Sequence, residues 1–410
     1  MIVMKYIRRN IESTIKKTEK MFTSVLITGA RQVGKTTMLR HIKSDLKYIT
    51  LDDPLLLQTA IDDPGVFFKT SKPPVIVDEI QYAPQLLSYI KMIGDETGKK
   101  GQFYLTGSQK FHMMKNVSES LAGRIGIINL LGLSLREIRG IEYTEPFITE
   151  KKYLTEREKR NKKTGYNEIW EVIHKGTMPA MYAEDMDWQL YYGSYTRTYI
   201  ERDVRDLTKI GDEQKFIKFM IALAARTSQM LNLTTVANEV GITVPTAERW
   251  LSILISSNII YLLQPYYNNI MKRTVKTPKL YFLDTGLAAY LTRWNNQEVL
   301  ENGAMAGAFF ETFIIDEILK SYYNAGIITP PLYYYRDKDG REIDLLIEKN
   351  ATLYPIEIKK SATPRKEFLK HFRVLDNINN IKKGMGGVIC LYETLVQLDE
   401  DNWVIPVSFL

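Results

Sequence analysis

Short apolar runs and amphipathic stretches alternate along the first third of the chain. "SVLITG", "KYITLD", "PPVIVDE" and "GQFYLTGS" are rich in β-branched and aromatic residues, which predicts strands, and the segments between them space their apolar residues as helices do. Strand and helix in alternation predict a parallel α/β sheet. The rhythm stops at "EKKYLTEREKRNKKTG", whose mixed charges predict a solvated helix or linker and a first boundary at residue 150. Residues 166–226 then read as helices spaced by aromatic side chains, as in "WQLYYGSYTRTYIERDVRDL", a stripe that belongs to a core.

"LTTVANEVGITVPTAERWLSILISSNIIYLL" predicts helix, glycine turn, helix and strand, the order of a winged helix-turn-helix, with Ala237 and Gly241 at the tight contact. After Gly303 the pattern returns to a helix, "GAFFETFIIDEILKSYY", and to the strands "EIDLLIE" and "LYPIEIKK". A chain of 410 residues exceeds one ordinary core. The expected units are 1–150, a helical linker or lid over 151–230, the helix-turn-helix over 231–298, and 299–410.

Composition adds limits rather than a function. With 45% hydrophobic and 25% charged residues the whole chain is expected to fold. A balance of 55 basic against 48 acidic residues, +7 net, permits a polyanionic partner without demanding one. The single cysteine, Cys390, excludes an internal disulfide, and four histidines argue against a histidine metal centre. Charges within "MIVMKYIRRNIEST" are out of place in a signal peptide, and the longest uncharged run, Trp250 to Met271, contains Ser256, Asn258, Gln264 and Pro265. A soluble, cytoplasmic protein is expected.

Chemistry enters at "GARQVGKT", which fits G-x-x-x-x-G-K-[ST] between an apolar strand and a helix. The loop and helix start, Gly29, Ala30, Arg31, Gln32, Val33, Gly34, Lys35, Thr36 and Thr37, are the expected ATP phosphate cradle. Lys35 would neutralise β/γ charge and Thr36 would offer its hydroxyl to Mg²⁺. "PPVIVDEIQ" ends a second strand in two carboxylates, Asp78 as the metal acid and Glu79 as the general base for water. Ser108, or alternatively Thr106, at the end of "FYLTGS" would sense the γ-phosphate.

In order along the chain, "ITGARQVGKTT", "LDDP", "VDEIQ", "LTGSQ", "SESLAGRI", "LSLREI", "YIERDVRDL", "YFLDTGLAAYL", "EIDLLIE" and "PIEIKKSA" resemble the AAA-family ATPases of prokaryotes that carry an uncharacterised C-terminal domain. The resemblance covers nearly the whole chain and implies an AAA-type ATPase core, without supplying a biological role. In such ATPases an arginine commonly reaches the γ-phosphate of a neighbouring subunit, which makes Arg124 of "SLAGRI" the candidate; a structural ion pair and a contact within its own subunit are the alternatives. A homo-oligomer follows from the first option, with a hexameric ring as one form. Arg202 and Arg205 are the residues considered for a second sensor.

Near the C-terminus, twelve residues separate Asp344 from Glu357, and Lys359 follows at a same-face interval. A hairpin would join them, and two carboxylates with a lysine can hold Mg²⁺ and position a nucleophile at a phosphodiester. The spacing is similar to that of PD-(D/E)xK nucleases, with Glu311 at the helical acid. "KKSATPRKEFLKHFR" and the wing-side Lys272, Arg273, Lys276 and Lys279 are candidate phosphate contacts, against the plainer reading of solvated charge.

The expected fold class is α/β: a P-loop AAA-type ATPase domain, a central helical and winged-helix domain, and a restriction-endonuclease-like α/β domain. The expected function is ATP-driven DNA processing with Mg²⁺ at both sites. The alternative is a nucleotide-dependent switch whose C-terminal domain binds without cutting.

Overall fold

Five strands, β1 (Ser24–Thr28), β2 (Lys47–Thr50), β3 (Val75–Asp78), β4 (Phe103–Gly107) and β5 (Ile125–Asn129), pair in parallel in the order β2-β3-β4-β1-β5. They belong to a computed structural model that describes residues 6–107, 121–199, 213–267, 277–378 and 380–410. Every residue of β1, β3 and β4 is buried, as parallel strands covered on both faces require. Four of these strands follow the apolar pattern. The fifth escaped it because Gly126 interrupts its β-branched run. The helix Glu12–Met21 lies so close there that a Cβ at Gly126 would strike Thr18 and Phe22.

The central region holds the helices Tyr166–Lys175, Trp188–Tyr199 and Glu213–Ala224. Next come helix Leu233–Val240, a turn at Gly241 with φ 73°, and helix Val244–Ser256. Asn232 and Thr243 cap the two helices through their side chains. Strands β6 (Gln229–Met230), β7 (Ile260–Leu263) and β8 (Lys279–Phe282) form an antiparallel sheet in the order β6-β8-β7. Over its described residues, 250–267, the long uncharged run is therefore a helix end followed by a strand. Among the described residues no helix is long and apolar enough to cross a membrane.

Helix Ala306–Asn324, buried over most of its length, leads into the last sheet. Strands β9 (Leu332–Arg336), β10 (Glu342–Lys349), β11 (Thr352–Lys359), β12 (Lys382–Lys383), β13 (Gly386–Cys390), β14 (Val396–Gln397) and β15 (Asn402–Pro406) take the order β14-β15-β13-β11-β10-β9, with β12 on β11. Asn350 and Ala351, at φ 51° and 55°, make the two-residue turn between β10 and β11. Positive φ at both positions suits the twist of a tight hairpin.

The mixed-charge run after residue 150 is not simply solvated. Within helix Lys151–Lys159, Arg157 is fully buried, its Nε donating to the Phe409 carbonyl and its Nη2 to that of Ser408, both at 2.9 Å. A rigid guanidinium fork can satisfy several carbonyls at once, which offsets the desolvation of its charge. These partners lie some 250 residues away in sequence, so local charge patterning carried no sign of them.

Candidate functional site

The phosphate-loop candidate joins β1 to helix Lys35–Ile42. Gly29 has no room for a side chain, because a Cβ would come within 2.2 Å of the Leu130 carbonyl oxygen, and Gly34 caps the helix at φ 89°. Lys35 folds back over the loop, Nζ donating to the Gly29 and Ala30 carbonyls at 3.0 and 2.8 Å. The Thr36 hydroxyl lies 2.9 and 3.0 Å from the two carboxylate oxygens of Asp78.

Asp78 is buried at the end of β3 and also accepts from the Tyr48 hydroxyl at 2.7 Å and from the Thr106 hydroxyl. Strand β4 lies between β1 and β3, which is why Thr106 stands beside Asp78. Of the two sensor candidates, Ser108 lies outside the described residues. Glu79 sits in the left-handed region at φ 57°, a conformation that costs a non-glycine residue about 1–2 kcal/mol. Its N–H donates to the Thr106 hydroxyl at 3.3 Å and its carboxylate accepts from the Gln81 amide.

Arg9, which the sequence reading overlooked, supports this loop from behind. It donates to the carbonyls of Val33 at 2.9 Å, Leu131 at 2.8 Å and Gly132 at 3.0 Å, and pairs with Glu137 at 3.2 Å. Beside it, Tyr6, Ile7, Gly34, Thr37, Pro179 and Ala183 line a cavity of about 140 Å³.

Arg124 is bonded to Asp95 of its own chain, Nε to Oδ1 at 2.5 Å and Nη2 to Oδ2 at 3.2 Å. It precedes β5, whose first residue pairs with Ser24 while its last pairs with Thr28. In a parallel sheet that places Arg124 at the end opposite the phosphate loop, so it cannot contact a phosphate in its own loop. Arg202, Arg205, Lys272, Arg273 and Lys276 lie outside the described residues.

The C-terminal acids meet on the predicted hairpin. Leu345 pairs with Ile356, and the next step of that register sets Asp344 opposite Glu357. Asp344 accepts from the Ile358 N–H at 2.8 Å, and Lys359 Nζ reaches Asp344 at 3.1 Å and Glu357 at 2.5 Å. Glu357 Oε1 is buried and has no donor among the described residues. Burial and the neighbouring Asp344 charge push the Glu357 carboxyl up to about 9, against the pull of Lys359. Burial alone would raise Asp344 too, but Lys359 and Lys279 hold it below the ordinary aspartate value.

Two expectations change here. Lys279 is not an exposed phosphate contact: it is 4% exposed, 3.1 Å from Glu311, 2.6 Å from Glu342 and 4.0 Å from Asp344. Glu311, on helix Ala306–Asn324, is held by Lys279 and by the Tyr281 hydroxyl at 2.7 Å instead of completing a metal set with Asp344 and Glu357. Among the described residues no three acidic, histidine or cysteine side chains gather as they would round a metal ion. Glu342 was overlooked although its two-residue interval from Asp344 on one strand was visible.

Sheet order and loop geometry together define a P-loop ATPase domain, and residues 22–139 match the family described as AAA domain. Residues 166–298 and 306–410 match two domains of unknown function, DUF8612 and DUF4143. The uncharacterised protein Rv2008c of Mycobacterium tuberculosis is 26% identical over 360 residues, spanning 87% of this chain and 75% of its own. MJ1544 of Methanocaldococcus jannaschii, also uncharacterised, is 23% identical over 380 residues, 86% of this chain and 80% of its own. Among solved structures, the Walker-type ATPase PABY2304 of Pyrococcus abyssi is 15% identical and covers 70% of this chain and 96% of that one, with a TM-score of 0.45.

Proposed function

We propose that this chain hydrolyses ATP and uses the cycle to act on DNA through its central and C-terminal modules. The ATPase half rests on one observation above the others: Thr36 and Asp78, from separate elements, meet with hydroxyl against carboxylate beside Glu79. Hydroxyl and carboxylate oxygens are the donors a hard divalent cation takes, so the pair fits Mg²⁺. Mg²⁺, when bound with the nucleotide, neutralises charge on the β- and γ-phosphate oxygens.

The remaining work belongs to the chain. Lys35 exchanges its two carbonyl partners for phosphate oxygens. The cavity beside Arg9, walled by Tyr6, Ile7 and Pro179, takes the adenine ring. Glu79 accepts the proton of the attacking water once its oxygen is released by Gln81. Arg124, turned away from its own loop, serves the loop of a neighbouring copy in a homo-oligomer.

The DNA half rests on the hairpin that sets Asp344, Glu357 and Lys359 together. The donor-less Glu357 oxygen fits a metal-holding carboxylate, with Asp344 as its companion and Lys359 placed to orient a water against a phosphodiester. The helix-turn-helix and the β6-β8-β7 sheet then form a winged helix, and the exposed cations Arg365, Lys366, Lys370 and Arg373 follow the acid site along the chain. A second reading, a nucleotide switch with an inert C-terminal domain, is favoured by the burial of Lys279 among Glu311, Glu342 and Asp344.

ATP turnover and Mg²⁺-dependent cleavage measured together on duplex, single-stranded and branched DNA separate the two. DNA-stimulated turnover, with cleavage that Asp344→Ala and Glu357→Ala abolish, is the expected result. Turnover indifferent to every DNA form, without cleavage, selects the switch.

A further inference from the structure

Lys279 is the first residue of β8, yet its ammonium belongs to the C-terminal acid site. It lies 3.1 Å from Glu311 on the helix, 2.6 Å from Glu342 at the start of β10, and 4.0 Å from Asp344. A lysine taken almost fully out of water loses several kcal/mol of hydration, so it persists only where carboxylates replace the water. Without it, Glu311, Glu342, Asp344 and Glu357 would be left facing Lys359 and the exposed Arg336, with one oxygen of Glu357 already lacking a donor. A point charge on a flexible stem is the protein side chain that best substitutes for a small cation among oxygens.

The same short strand reaches the nucleotide site at its other end. Just past β8, Leu283 and Asp284 border a small gap with Ala30 and Val33 of the phosphate loop. Asp284 accepts from the Thr177 N–H at 2.7 Å and the Tyr192 hydroxyl at 2.7 Å, and the Thr177 carbonyl accepts from Leu133, next to the segment that Arg9 holds. Four to five residue steps, at most about 17 Å of chain, thus separate the contact with the phosphate loop from the lysine in the acid site.

We propose that Lys279 is a tethered cation that keeps divalent metal out of the C-terminal acid site, and that displacement of β8 from its phosphate-loop end opens the site. The proposal deepens the phosphodiester reading given above and rests on it. Closed, the acids hold Lys279; open, they hold a metal, and Lys359 stays in place to serve the reaction.

The test is Mn²⁺ binding to the full chain without nucleotide, read from the electron paramagnetic resonance signal of free Mn²⁺. Lys279→Met is expected to bind one Mn²⁺ at least tenfold more tightly than the unaltered chain, and Lys279→Met with Asp344→Asn to lose that gain. Should Lys279→Met fail to fold, Lys279→Gln with Glu342→Gln removes the opposite charges together and must show the same gain. Equal Mn²⁺ affinity with and without Lys279 overturns the proposal. Cleavage assays on the same proteins keep the two ideas apart. A tighter Mn²⁺ site with no cleavage of any DNA supports the tethered cation and sinks the phosphodiester reading, whereas equal cleavage with and without Lys279 does the reverse.

Discussion

Arg9 Nη1 donates to the carbonyl of Val33 at 2.9 Å, so a side chain from the first described segment fixes the phosphate loop from outside the motif. Its ion pair with Glu137 is buried on both sides. Arg9→Ala leaves that carboxylate without its cation and should cost about 3–5 kcal/mol in urea unfolding, with weaker nucleotide binding. Arg9→Lys should recover only part of both, since one ammonium cannot reach three carbonyls and an acid. A loss within about 0.5 kcal/mol, the range of ordinary surface changes, would show that the tie is idle.

Lys35 and Glu79 should separate binding from chemistry. Lys35→Ala is expected to lose ATP affinity, because it removes the ammonium held against the Gly29 and Ala30 carbonyls inside the loop. Glu79→Gln keeps shape and binding but cannot take a proton, and turnover should fall about 10²–10⁴-fold with the ATP dissociation constant little changed. Unaltered turnover in Glu79→Gln would remove it as the base.

Arg124 and Asp95 form an exposed pair, and exposed pairs add little to stability. Arg124→Ala should therefore melt at the temperature of the unaltered protein while turning over ATP slowly. Mixing Arg124→Ala subunits with Lys35→Ala subunits should restore activity, as some interfaces then join an intact loop to an intact arginine. Full-rate hydrolysis by a strict monomer would contradict this.

Asp316, on helix Ala306–Asn324, is buried beside Lys320 at 2.7 Å, and Glu317 shares the same lysine at 3.0 Å. Burial pushes the Asp316 carboxyl up to about 7 from an ordinary 3.8, with Lys320 opposing. The folded protein then holds this proton where the unfolded chain has released it, so this group's contribution to stability falls as pH rises from about 4 to about 7 and is flat beyond. Asp316→Asn should remove that slope, at most ~1.4 kcal/mol per pH unit. Parallel urea-stability curves for the two proteins across that window would show that Asp316 does not titrate there.

Local pattern was enough wherever chemistry is written in neighbouring residues. The phosphate loop, the carboxylates ending β3, the helix-turn-helix and the β10-β11 hairpin all follow from spacing, because a strand repeats every two residues and a helix every 3.6. The same spacing failed at β5, where Gly126 interrupts the run, and at Arg157, whose charge looked solvated.

Local spacing is therefore enough for the set of elements and for the acids and lysines they carry. Which of those charges meet depends on how the elements pack. Arg9 finds Glu137, and Lys279 leaves its expected place on the surface for Glu311 and Glu342. The physical reason is desolvation: burying one charge is so costly that folding must bring an opposite charge or carbonyl oxygens to it, and these come from wherever packing places them, not from the adjoining sequence.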